Sequence, residues 1–194
     1  MNISQLPDRF DKLQKLKALR ITGNLLISGP LQSVPEVVTN LPSLEKLDLS
    51  YNKINQLPDR YLACDVTKQA PAGIFDKLQQ LKVLKITGSL LKPGPLQSVP
   101  EVVTKLTSLE ELDLSRNQIN QLPDAFDKLQ RLKVLTISGP YRHGLFQSVP
   151  EVVTKLTSLE ELDLSDNQIN QLPDRIDDSG PLSSGRQFEI NITG

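Results

Sequence analysis

Apolar residues recur along the chain as Leu-x-x-Leu-x-Leu/Ile, six times over: LKALRI (16–21), LEKLDL (44–49), LKVLKI (81–86), LEELDL (109–114), LKVLTI (132–137) and LEELDL (159–164). The last two apolar positions of each core are two apart, the period of a strand with one buried face. The first apolar residue turns inward ahead of them. The pattern predicts six short strands stacked into one parallel sheet. A weaker copy follows, since INITG (190–194) matches LKITG (84–88) and Ile190 lies 28 residues after Leu162. QFEINIT (187–193) is therefore expected as a degenerate seventh strand with Ile190 and Ile192 inward, inside a degenerate C-terminal repeat or tail over 175–194. Between strands, LPDAFDKL returns Phe126 and Leu129 to the interior, and SVPEVVTKL returns Val103 and Leu106. A helical or 3₁₀ turn achieves this, with proline early, where its missing N–H costs little.

The six cores start 28, 37, 28, 23 and 27 residues apart. DAFDKL at 124–129 corresponds to DRYLACDVTKQAPAGIFDKL at 59–78, so the interval of 37 is a 23-residue unit carrying 14 more residues, at about 60–73 on the convex side. Without that insertion, long and short units alternate with a period of about 51. The most regular unit, LEELDLSRNQINQLPDAFDKLQR (109–131), follows L-x-x-L-x-L-x-x-N-x-I-x-x-L-P-x-x-F-x-x-L. It resembles the leucine-rich repeat family, and the resemblance covers nearly the whole chain. The Leu-Pro-x-x-Phe-x-x-Leu half resembles the intracellular, Ras-suppressor-like members. The resemblance implies an α/β solenoid in a single domain over 1–194. A curved parallel sheet would form its concave face and short helical or 3₁₀ turns its convex face. It also implies protein–protein recognition, often as a scaffold in signalling.

No unit of this kind can bury its leucines alone, so the core is continuous and stability is roughly a sum of nearest-neighbour terms. Asn117 falls where the chain turns after the strand, and its amide can satisfy backbone groups of adjacent turns. The equivalent column reads Asn24, Asn52, Ser89, Asn117, Pro140 and Asn167. Ser89 and Pro140 depart from it, and the long-unit turns are expected to be less regular. MNISQLPD aligns with NQINQLPD (167–174), so the chain is expected to begin mid-repeat. The Cys-rich caps of the family's extracellular members have no counterpart in the sequence.

Composition narrows the function classes. Leucine accounts for 34 of 194 residues, aromatics for only 4%, and tryptophan is absent. Lys+Arg number 22 against 23 Asp+Glu, a net charge of -1 that lacks the basic footprint of a nucleic-acid binder. A single cysteine, Cys64, excludes a disulfide framework and any multi-Cys zinc site. It lies in the insertion with no neighbouring base to activate it, and an unreactive thiol is expected. The single histidine, His143, is expected as a solvated loop side chain. No apolar run approaches the roughly 20 residues that span a membrane. MNISQLPDRF has no basic n-region or apolar h-region. A cytoplasmic location is expected, or an extracellular one if a signal sequence lies outside this chain. In the cytoplasmic case the sequons Asn2-Ile3-Ser4 and Asn191-Ile192-Thr193 are accidental, and in the extracellular case they would be occupied. GPLQSV and KPGP lack the Gly-Lys-Ser/Thr of a phosphate-cradling loop. No cofactor, metal, membrane or small-molecule substrate is expected.

Two surfaces remain as candidates. Strand alternation puts a central column of Arg20, Asp48, Lys85, Asp113, Thr136 and Asp163 on the exposed face, flanked by Lys46, Glu111 and Glu161. Strands about 4.8 Å apart make the first four an alternating-sign ladder. One reading is a binding strip whose acidic half (Glu111, Asp113, Glu161, Asp163, Asp166) meets a basic partner. The other is cross-strand pairing, each pair contributing roughly 0.2–1 kcal/mol. The second surface is an edge formed by the extra residues of the long units, NLLISGPL (24–31), SLLKPGPL (89–96) and PYRHGLF (140–146). Recurring every second unit, they should form a ridge. Leu26, Leu91, Tyr141 and Arg142 would make contacts there, while Leu31, Leu96 and Phe146 occupy the core position of Ile119. The alternative is that the tips are solvated turns. The insertion is either a binding loop or a tolerated surface addition.

The expected function is non-catalytic binding of a protein partner on the concave face, as a signalling scaffold or adaptor. Acidic rows on an open sheet stay solvated, which makes them a poor general acid–base site. The alternative is a structural fragment of a larger receptor or enzyme whose activity lies on a flank.

Overall fold

The computed structural model describes residues 8–55, 57, 74–140, 144–171 and 189–192. Seven three-residue strands form one parallel sheet in chain order: β1 (Ala18–Arg20), β2 (Lys46–Asp48), β3 (Val83–Lys85), β4 (Glu111–Asp113), β5 (Val134–Thr136), β6 (Glu161–Asp163) and β7 (Glu189–Asn191). Their register aligns the central leucines as one spine, Leu19–Leu47–Leu84–Leu112–Leu135–Leu162–Ile190. Leu47, Leu84, Leu112 and Leu135 are fully buried, each contributing roughly 1.5–3 kcal/mol relative to an exposed side chain. Leu109 and Leu114 fill the rows on either side of Leu112, as the Leu-x-x-Leu-x-Leu spacing requires. The open sheet is backed by 3₁₀ turns, so the chain is a leucine-rich repeat solenoid.

Among the described residues the returning halves are six 3₁₀ turns: Asp8–Lys12, Glu36–Asn40, Ile74–Lys77, Glu101–Lys105, Asp124–Lys128 and Glu151–Lys155. Proline stands directly before four of them, at Pro35, Pro100, Pro123 and Pro150, with extended ψ. It donates nothing, yet its carbonyl accepts the first i→i+3 bond, from Val38, Val103, Phe126 and Val153 N–H respectively. Phe126, Leu129, Val103 and Leu106 all point into the core as expected.

The turns after the strands differ between unit types. In the short units Asn52, Asn117 and Asn167 each bridge two coils. Asn117 Nδ2 donates to Ile86 O of the preceding unit at 2.7 Å and to Leu114 O of its own at 2.9 Å. Asn52 and Asn167 repeat this with Ile21 and Leu49, and with Ile137 and Leu164. The residue before each asparagine (Tyr51, Arg116, Asp166) has a left-handed backbone, with φ of 58, 56 and 57°.

The long-unit turns were expected to be irregular, but they follow a rule of their own: a glycine pair that seats the next unit's asparagine turn. Gly88 N–H donates to Ser115 O, and Gly94 N–H to Arg116 O, both at 2.8 Å. A Cβ on Gly88 would lie 1.9 Å from Arg116 O, and one on Gly94 2.0 Å from Asn117 Oδ1, so neither position admits a side chain. Gly23 with Gly29, and Gly139 with Gly144, repeat the arrangement around Asn52 and Asn167. Asn24 therefore does not join the bridging column. It is exposed, and its Oδ1 accepts Leu26 N–H at 2.8 Å, capping its own loop.

The ends of the sheet are less covered. β7 pairs with β6 as expected, and Ile190 is half-buried. Ile192 is not inward; it is 37% exposed, because among the described residues no further coil packs over it. The insertion at 60–73 with Cys64, and most of 175–194, lie outside the described residues.

Candidate functional site on the sheet and its loop edge

Alternation along each strand leaves one residue on either side of the buried leucine facing outward. These are Ala18 and Arg20, Lys46 and Asp48, Val83 and Lys85, Glu111 and Asp113, Val134 and Thr136, and Glu161 and Asp163. Cationic and acidic strands adjoin, and pairs form. Arg20 Nε meets Asp48 Oδ2 at 3.0 Å. Lys85 was expected opposite Asp113 in the central column, but it reaches diagonally to Glu111. Partial burial disfavours its ammonium, yet the Glu111 hydrogen bond and the charges of Glu111, Asp113 and Asp48 more than offset this and raise its pKa.

The aspartates carry a second task. Asp48, Asp113 and Asp163 each accept the backbone N–H two residues on, from Ser50, Ser115 and Ser165, at 3.1, 3.1 and 2.9 Å. Asp113 also accepts Ser115 Oγ–H at 2.6 Å. The central column is thus fixed in orientation by the turn that ends each strand. β5 puts Val134 and Thr136 between β4 and β6, so the acidic pairs Glu111/Asp113 and Glu161/Asp163 stand about 9.6 Å apart across a neutral strand. Asp166 stands off this surface, in the left-handed turn beyond β6, where its carbonyl accepts Gly144 N–H at 3.1 Å.

One charged row escaped the sequence reading. The residue before each of β1 to β6 reads Lys17, Glu45, Lys82, Glu110, Lys133 and Glu160, in strict alternation of sign. The backbone stacks these residues directly, with each N–H donating to the preceding residue's carbonyl at 2.8 Å. Glu45 pairs with Lys17 at 2.9 Å and Lys82 at 3.4 Å, and the hydrogen bonds from these two lysines hold its carboxyl below its ordinary range. The signal was the residue after the first Leu of every core, lysine in long units and glutamate in short ones.

The loop edge forms a continuous ridge between the first two long units. Leu90 N–H donates to Leu25 O at 2.8 Å, and the Ser28 and Ser89 hydroxyls lie 3.1 Å apart. Leu26 and Leu91 are exposed at the tips, beside Leu25 and Ile27. Leu31, Leu96 and Phe146 are core residues, buried like Ile119. Tyr141, Arg142 and His143 lie outside the described residues. Among the described residues no helix is long and apolar enough to cross a membrane, and no group of three or more His, Cys, Asp or Glu could hold a metal ion.

A stacked parallel sheet, bridging asparagines and charged outward rows define a repeat solenoid, and comparison with known proteins agrees. A family model described as a leucine-rich repeat region matches residues 60–194, and one described as a leucine rich repeat matches residues 40–56. The chain belongs to the leucine-rich repeat family. The Ras-suppressor-like subtype finds no separate support.

Disease resistance-like protein DSC1 of Arabidopsis thaliana is 28% identical over 142 residues, covering 68% of this chain and 11% of that protein. Lumican of Gallus gallus is 32% identical over 132 residues, covering 64% of this chain and 37% of that protein. The chain thus spans about a tenth and just over a third of these two relatives. Among solved structures, the Arabidopsis receptor kinase HAESA, in complex with the peptide hormone IDA and the co-receptor SERK1, matches with a TM-score of 0.54. It is 26% identical, covering 87% of this chain and 24% of that one.

Proposed function

We propose that the chain is a non-catalytic binding module whose outward sheet face takes a protein partner, and that the acidic strands β4 and β6 dock a basic surface of that partner. The observation that carries this reading is the outward display of Glu111, Asp113, Glu161 and Asp163 on a backbone whose geometry is already fixed by stacking. A preorganised surface loses little entropy on binding. Neutral β5 leaves Asp113 and Asp163 without a cation between them. The HAESA structure, in which a repeat protein of this family holds a peptide hormone and a co-receptor, supports the protein-binding class. A role as a cytoplasmic signalling scaffold is the finer form of this proposal.

Removing charge without removing the turn tests it. Asp113→Asn and Asp163→Asn keep an oxygen for Ser115 and Ser165 N–H, and Glu161→Lys reverses an exposed residue. The triple variant should melt within a few degrees of wild type. Proteins captured by wild type should be lost from it when the two are compared by mass spectrometry. Equal capture by both removes the acidic site. The second reading, an architectural piece of a larger receptor or enzyme, draws on the chain's 11% span of the disease resistance-like relative. A longer reading frame encoding a further domain would favour it.

A further inference from the structure

The outward charges are distributed by unit type, and this makes the sheet complementary to itself. Among β1–β6 the long-unit strands carry no anion, with Arg20 on β1, Lys85 on β3 and no charge on β5, while β7 adds Glu189 beside Glu161. Short-unit strands carry the anions: two each on β4 and β6, and Asp48 balanced by Lys46 on β2. The row at the strand starts alternates in the same way, from Lys17 to Glu160.

We propose, resting on the reading that the sheet face is the binding face, that its occupant is a second copy of this chain. The two sheets face each other about a two-fold axis parallel to the strands and midway between β3 and β4. This operation sets strands β1, β2 and β3 over β6, β5 and β4, opposes a long unit to a short one at each of them, and leaves β7 outside the overlap. Arg20 then faces Glu161 and Asp163, Lys85 faces Glu111 and Asp113, and the neutral pairs β2 and β5 meet. Strand direction is preserved, so the starting rows also match in sign: Lys17 with Glu160, Glu45 with Lys133, Lys82 with Glu110. The other in-plane two-fold, perpendicular to the strands, lays every strand over its own counterpart and so opposes the acidic strands β4 and β6 to themselves. Charge complementarity therefore selects one symmetry operator, as an isologous interface requires.

The strip of six three-residue strands covers only about 300 Å² per copy by strand dimensions, below the roughly 800 Å² per partner of a stable interface. The association is consequently electrostatic and salt-sensitive, and it supplies basic strands of one copy to acidic strands of the other.

Sedimentation velocity of the full chain tests the operator. Wild type should shift toward dimer at roughly 0.01 M ionic strength and return to monomer near 1 M, where the Debye length falls to about 3 Å. A Lys17→Glu/Arg20→Glu variant and a Glu160→Lys/Glu161→Lys variant should each be monomeric at low salt. An equimolar mixture should recover the dimer, because each reversed strand then faces a cognate reversed strand and the unreversed β1 and β6 still match. Arg20→Glu with Glu161→Lys serves as the milder pair if a double variant fails to melt cooperatively. A monomeric wild type at low salt, or a mixture no more associated than its components, overturns the pairing. The basic-partner reading is judged separately, by capture, and survives either result.

Discussion

Long and short units share one core and differ in how they turn the corner after the strand. Leu84 in a long unit and Leu112 in a short one are equally buried and directly paired. Beyond the strand the short unit spends an asparagine, and the long unit two glycines that make room for it. The asparagine supplies hydrogen bonds to both coils, while the glycines remove Cβ atoms that would collide with it. Apolar periodicity thus specifies what is common to all units, and close backbone approach specifies what distinguishes them.

Substitutions can separate these two layers. Leu112→Ala and Leu135→Ala should cost alike, about 2–5 kcal/mol each in chemical denaturation, since both empty the same spine. A near-neutral result at either would break the shared-core half of the comparison. At the corners the unit types should diverge. Asn117→Ala leaves the carbonyls of Ile86 and Leu114 without their bridge and should cost about 1–3 kcal/mol. Asn24→Ala removes only an exposed cap within its own loop and should stay within about 0.5 kcal/mol. Equal losses would mean that the glycine seat does not set the two classes apart. Opposing effects should leave only a small net change at Arg116→Gly. It relieves a left-handed backbone in the folded state but loosens the unfolded chain, so stability should move by less than about 1 kcal/mol.

Much of the fold was legible in the sequence because strands with one buried face announce themselves by spacing. Leu-x-x-Leu-x-Leu gave the register that aligns Leu84, Leu112 and Leu135, and Ile190 could be placed under Leu162 by counting from it. The bridging asparagines were legible as a column, but Asn24 was misplaced there, because its role depends on an exposed loop and not on a repeat position. Gly88 and Gly94 did not stand out in the sequence, since nothing in one unit reveals that a neighbour's amide must pass beside them. The candidate site was visible as charge alternation, while its pairing was not. Lys85 could reach Glu111 as easily as Asp113, and spacing alone does not choose between a facing and a diagonal carboxylate. The turn role of Asp113 was likewise hidden behind its charge, although Asp-x-Ser is a familiar local hydrogen-bonding pattern.

The seating of each asparagine between two glycines has a consequence for how such an array lengthens or shrinks. A coil of one kind is shaped to receive a coil of the other, so the quantum of growth is the pair, about 51 residues in the uninterrupted rhythm. Excising a single short coil would bring two strands headed by lysine together and leave a glycine seat with nothing to hold. Excising two would rejoin matching surfaces.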